Sequence, residues 1–82
     1  MSDRFTEAQE RVKKLTSRPD NQTLLELYAL FKQGTAGDVS GKRPGMLDLK
    51  GRAKYDAWAA KKGLGQEAAR EQYVALVTKL GA

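Results

Sequence analysis

The chain has 82 residues, no cysteine and no histidine, and carries 15 lysines and arginines against 10 aspartates and glutamates. That length suits one domain with a thin core. The composition excludes disulfides, a thiol nucleophile, the usual neutral-pH proton shuttle and the usual zinc ligands. Its most apolar stretch, Leu24 to Phe31, is broken by Glu26 and falls far short of the ~18 residues that span a bilayer. The amino terminus, Met1-Ser2-Asp3-Arg4-Phe5, leads straight into a charged helical pattern without an apolar leader, so a cytoplasmic protein is expected.

Four segments carry helical periodicity and none carries a strand pattern. The first is predicted from about Asp3 to Leu15, with Ser2 as N-cap and Phe5, Ala8, Val12 and Leu15 as one apolar stripe. Pro19 stops it, because proline has no amide hydrogen and disfavours helix just before it. The second is predicted from Asn21 to Gln33, capped by Asp20 or Asn21 and closed by Gly34. Its centre, Leu24 to Phe31, is apolar over too wide an arc for a helix with one neighbour. Part of it must meet a second surface, either another helix or a ligand.

A loop follows from Gly34 to about Asp48, of a length that is usually functional or disordered, and it is expected to be ordered by contacts with the helices it joins. The third helix is predicted from Leu49 to Lys61, stopped by Lys62-Gly63. The fourth runs from Gln66 to Leu80, with Ala69, Tyr73, Leu76, Val77 and Leu80 facing inward, and is expected to pack on the first.

The charge is localised. Residues 1–31 hold five charges of each sign and residues 63–82 two of each, so the whole excess lies in residues 32–62, eight positive against three negative. Such a region attracts an anionic partner, whether nucleic acid, a membrane surface or a phosphorylated small molecule. A nucleic-acid module fits less well, because the lysines are interleaved with apolar residues and the second helix is too hydrophobic for a groove. Asp38 and Asp48 flank the loop and form the one candidate carboxylate pair, but loop-edge carboxylates more often cap helices or face water. No nucleotide-binding glycine motif is present, and enzymatic chemistry is not expected.

Residues three and four apart share a helix face. Leu24, Tyr28, Phe31 and Lys32 therefore form a stripe that passes from aliphatic through aromatic to cationic, matching a ligand with an apolar part, a flat ring and a phosphate. Lys50 and Lys54 share a face of the third helix and could converge on the same phosphate. Spacing alone leaves ordinary core packing and a solvated lysine face as alternatives. Tyr73 is open in the same way, to a core position or a ligand-facing ring.

The run Tyr28-Ala-Leu-Phe-Lys-Gln-Gly-Thr-Ala-Gly-Asp38, then Arg43-Pro-Gly-Met46 and Lys50-Gly-Arg-Ala-Lys-Tyr-Asp-Ala-Trp58, resembles the acyl-CoA-binding protein family, and the likeness covers nearly the whole chain. The resemblance implies an all-α fold, a four-helix up-down-down-up bundle with a long loop between helices two and three. It implies one free-standing domain over residues 1–82 that binds medium- and long-chain fatty acyl-CoA esters as a monomeric carrier, with no metal and no cofactor beyond the ligand. It implies no nucleic-acid partner and leaves open transient contact with membranes or acyl-CoA-using enzymes. Carried over by position, Tyr28, Lys32 and Lys54 surround the ribose 3′-phosphate, and Phe31 and Tyr73 offer ring faces. Lys13 and Lys50 complete a cationic rim, and Leu24 and Leu25 line the acyl path. Phe31, Leu49 and Tyr55 stand where many members carry tyrosine, phenylalanine and tryptophan.

Overall fold

In the computed structural model, which describes residues 3–81, four helices account for all regular structure among those residues. They are α1 (Arg4–Val12), α2 (Asn21–Ala36), α3 (Leu49–Ala59) and α4 (Gln66–Lys79). Three of them start on an aspartate. The carboxylates of Asp3, Asp20 and Asp48 accept from the amides of Thr6 (2.7 Å), Thr23 (2.7 Å) and Gly51 (2.9 Å), satisfying donors that the first turn leaves unpaired. Hydrogen bonds from Thr6 and Thr23 hold Asp3 and Asp20 below the usual carboxylate range. Asp3, not Ser2, caps α1; Ser2 lies outside the described residues.

Helix ends differ from the sequence expectation where tertiary contacts intervene. The first helix stops at Val12 rather than Leu15. Lys14 and Leu15 donate to Arg11 and Val12 (3.0 and 3.4 Å), tightening the chain into three-residue turns ahead of Pro19. The second helix runs through Gly34 to Ala36 and turns at Gly37, whose φ of +81° suits only glycine well. Gly34 is a packing residue instead of a stop: a Cβ there would lie 2.9 Å from Cγ of Arg70 on α4. The third helix ends at Ala59, two residues early, and the fourth within one residue of its expected end.

The directions of the helices follow from their contacts. Arg70 Nε donates to Gly34 O (2.7 Å) and Gln66 Nε2 to Thr35 O (3.4 Å), so the end of α2 meets the start of α4 and the two are antiparallel. Asp3, Arg4 and Phe5 at the start of α1 meet Glu67, Arg70 and Glu71 in the first half of α4, with the Arg70 guanidinium 5.8 Å from the Phe5 ring centroid, which makes that pair parallel. Tyr28 faces Lys54 and Lys32 faces Trp58, so α2 and α3 advance together and are parallel. The result is the up-down-down-up bundle.

The core lies where α1, α2 and α4 meet, and consists of Phe5, Ala8, Leu27, Leu30, Ala69, Tyr73, Val74 and Val77. Each large side chain buried there contributes about 1.5–3 kcal/mol. The third helix packs on α2 alone. The wide apolar arc of α2 is thereby explained: Leu27 and Leu30 face the core, while Leu24, Leu25 and Tyr28 face α3.

Helix contacts order the loop from Gly37 to Asp48. The Trp58 indole N–H donates to Gly37 O (2.8 Å), and the Tyr55 hydroxyl to Gly41 O (3.1 Å). The Arg43 guanidinium grips the Asp56 carboxylate through two bonds of 2.9 and 2.7 Å. Asp38 accepts from the Gly63 amide (2.9 Å) and from Gln33 Nε2 (2.8 Å).

Candidate acyl-CoA site

Parallel packing of α2 and α3 leaves a cleft of about 480 Å³ along their seam. Its middle is apolar, formed by Leu24 and Leu25 from α2 and by Leu49 and Ala53 from α3. Tyr28 and Lys54 stand at one end, Arg18 and Asn21 at the other, and Lys50 on the rim. The helical repeat explains the set. Asn21, Leu24, Leu25 and Tyr28 are three or four apart on one helix, and Leu49, Lys50, Ala53 and Lys54 on the other. The lining holds three cations and no carboxylate.

Two cation–ring pairs close the Tyr28 end, and each crosses from one helix to the other. Lys54 Nζ lies 5.6 Å from the Tyr28 ring centroid, and Lys32 Nζ lies 4.8 Å from that of Trp58. The bond from the Trp58 indole to Gly37 O fixes the plane of the ring on which Lys32 rests. Tyr28, Lys32 and Lys54 thus meet on one seam, with their ammonium groups stacked on rings instead of paired with carboxylates. Lys61 differs: it forms an ion pair with Glu26 and is neutralised.

The remaining residues expected from the sequence lie elsewhere. Tyr73 is 5% exposed and belongs to the core, edge-on to Phe5 at 5.1 Å, with its phenol pKa raised by burial. Phe31 is half-buried and stacks on Phe5 at 6.1 Å. Neither lines the cleft; together with Phe5 they form an aromatic column behind it. Lys13 is the exposed C-cap of α1, 3.7 Å from Glu10, and is not among the lining residues. Arg18 and Asn21 do line it, although the sequence reading does not single them out. Asn21 was legible, three residues before Leu24 on the same face. Arg18 was not, because it sits in the turn before α2, where periodicity is silent.

The two loop-edge carboxylates hold the backbone in place. The Gly63 amide and Gln33 hold Asp38 below the usual carboxylate range, and Asp48 caps α3 through the Gly51 amide. Among the described residues no three acidic, histidine or cysteine side chains are grouped to hold a metal ion. A second cleft of about 300 Å³ between α1 and α4 is walled by Arg4 and Arg70 together with Asp3, Glu67 and Glu71, a mixed lining unsuited to a polyanion.

Both the sequence and the fold resemble those of known proteins. A family profile described as "Acyl CoA binding protein" matches residues 2–77. The chain is 55% identical over 76 residues to the acyl-CoA-binding protein homolog 1 of Caenorhabditis elegans, covering 93% of this chain and 88% of that one. It is 51% identical over 81 residues to the acyl-CoA-binding protein homolog of Manduca sexta, covering 98% and 90%. Among solved structures, Oryza sativa acyl-CoA-binding protein 2 superposes with a TM-score of 0.90 at 42% identity, over 94% of this chain and 84% of that one. The yeast acyl-coenzyme A binding protein gives 0.75 at 44% identity, over 98% and 93%. Fold and sequence converge, and the chain belongs to the acyl-CoA-binding protein family.

Proposed function

We propose that this chain binds fatty acyl-CoA esters in the α2–α3 cleft and carries them, as a cytoplasmic monomer that forms a pool of bound ester, without transforming them. The observation that supports this most is the polarity gradient of the cleft: an apolar middle of Leu24, Leu25, Leu49 and Ala53, ending at the crossed pairs Lys54–Tyr28 and Lys32–Trp58. The phosphates of CoA bring about four negative charges, and the charged side chains that line this cleft are all cations. In this reading Lys32 and Lys54 turn from their rings to the ribose 3′-phosphate, joined by the Tyr28 hydroxyl. Lys50 neutralises the pyrophosphate, and Lys13 adds a more distant charge. The acyl chain lies along Leu24 and Leu25. Phe31 and Tyr73 support the cleft from behind, both packed on Phe5.

Each methylene removed from water contributes ~0.8 kcal/mol, less the cost of ordering the chain. Titration calorimetry with octanoyl-, lauroyl- and palmitoyl-CoA, free CoA and palmitate tests the reading. Affinity should rise from octanoyl to lauroyl ester by up to roughly two hundredfold, with free CoA and palmitate both weak. Equal binding of all five would sink it.

A further inference from the structure

Three large apolar side chains stand in solvent at the cleft, Leu49 on its wall and Met46 and Leu47 just outside it. Met46 is 80% exposed, Leu47 101% and Leu49 74%, all within four residues, and they are the most exposed large hydrophobic side chains among the described residues. Single exposed apolar residues are commonplace, but a cluster in a monomeric protein marks an interaction surface. The turn that bears them is held rather than loose. The Arg43–Asp56 ion pair anchors its start, the Asp48 amide bonds back to Gly45 O (3.0 Å), and the Asp48 carboxylate caps α3 behind it. The loop therefore holds the apolar tips out in water, with Leu49 also forming part of the cleft wall.

The charge around them selects the partner. Residues 32–62 carry eight cations against three carboxylates, and all three carboxylates are engaged inside the molecule. Asp38 bonds to Gln33 and the Gly63 amide, Asp48 to the Gly51 amide, and Asp56 to Arg43. Lys50, next to Leu49, and Arg18 on the cleft lining face outward, and Lys42 is exposed just before the anchored Arg43. Apolar tips rimmed by cations match the headgroup region of an anionic bilayer, where acyl carbon and negative charge lie within a few ångströms. A second copy of the chain matches poorly. It would oppose cation to cation, and three side chains fall far short of the roughly 1,600 Å² that a stable protein interface buries.

We infer that Met46, Leu47 and Leu49 are a docking prong for anionic lipid bilayers, set at the mouth of the cleft so that an acyl chain passes between bilayer and groove with little exposure to water. This deepens the carrier reading and rests on it for its purpose, though not for its geometry.

Flotation of the full chain with vesicles of phosphatidylcholine alone, or of an equimolar mixture with phosphatidylserine, tests the inference alongside lipid-free calorimetry with palmitoyl-CoA. The chain should float with the mixed vesicles and not with the neutral ones. Leu47→Ser should weaken vesicle binding roughly tenfold, and the double change Met46→Ser with Leu47→Ser further. Lys42→Ala should weaken it about fivefold. The two serine variants should keep their melting temperature and their affinity for palmitoyl-CoA, since neither side chain lines the cleft or enters the core. Equal flotation of the wild type and the double variant overturns the prong, as does flotation that ignores phosphatidylserine. So does a concentration-dependent dimer that Leu47→Ser abolishes. Loss of palmitoyl-CoA binding by the wild type would instead overturn the carrier reading, a result that calorimetry reads without vesicles.

Discussion

Replacing Lys54 by alanine separates ligand binding from folding more cleanly than any other single change. Its ammonium group lies in the open, 5.6 Å from the Tyr28 centroid. An exposed cation–ring contact is worth about 0.5–1 kcal/mol, and alanine recovers a few tenths through its better helix propensity. One kcal/mol moves the melting point of a domain this size by about 4–8 °C, so Lys54→Ala should shift it by about 5 °C at most. The ligand should feel the change far more. A hydrogen bond to a charged group contributes about 1.5–3 kcal/mol, which corresponds to a loss of roughly 10- to 150-fold in affinity for palmitoyl-CoA. Calorimetry should therefore compare wild type and variant with palmitoyl-CoA and with its 3′-dephospho analogue. If Lys54 serves the 3′-phosphate, the penalty of the substitution shrinks to near nothing with the dephospho ester. The same penalty with both esters, or none with either, would refute the assignment.

Three further outcomes follow from the packing and the ion pairs. Trp58 is the only tryptophan, and Lys32 rests 4.8 Å above it. Palmitoyl-CoA should alter its fluorescence as the ammonium leaves, and Lys32→Ala should reduce that ligand-induced change; an unchanged response would contradict the proposed movement. Gly34→Val would drive a side chain into Arg70 and towards Phe5 Cζ, 3.6 Å from the position of its Cβ. It should cost about 1–3 kcal/mol in urea unfolding, and an unchanged midpoint would contradict the close packing. The Arg43 guanidinium holds Asp56, and the Gly63 amide with Gln33 holds Asp38, below the usual carboxylate range. Their stabilisation is present above the unfolded pKa of about 4 and is lost as pH falls through the lower folded values. Thermal melts from about pH 6 to about pH 2 should therefore fall steeply below pH 4. The acid limb should be flatter in Asp56→Asn, and an unaltered limb would show that the pair contributes nothing.

Much of the fold was legible because local and tertiary demands agree. The stripes Phe5–Ala8–Val12 and Ala69–Tyr73–Val77 are helical in spacing and buried in fact, apart from a half-exposed Val12. Gly34 misled because a glycine near a helix end reads as a stop. Only the approach of Arg70, 36 residues away in sequence, shows that the missing Cβ makes room for a neighbouring helix. Lys32 and Lys54 were recognisable as cations on helix faces. That each would sit on a ring of the other helix depends on the α2–α3 register, which no periodicity carries. Tyr73 satisfied core and ligand-facing readings equally well by spacing, and the position of Phe5 on α1 decided where its ring lies.

The central claim is that the α2–α3 cleft is where the ligand binds, and residue-resolved NMR during titration with palmitoyl-CoA tests it most directly. The account predicts that the largest amide and side-chain shifts fall on Leu24, Leu25, Tyr28, Lys32, Ala53 and Lys54. Shifts centred on Asp3, Arg70 and Glu71, which line the cleft between α1 and α4, would contradict it.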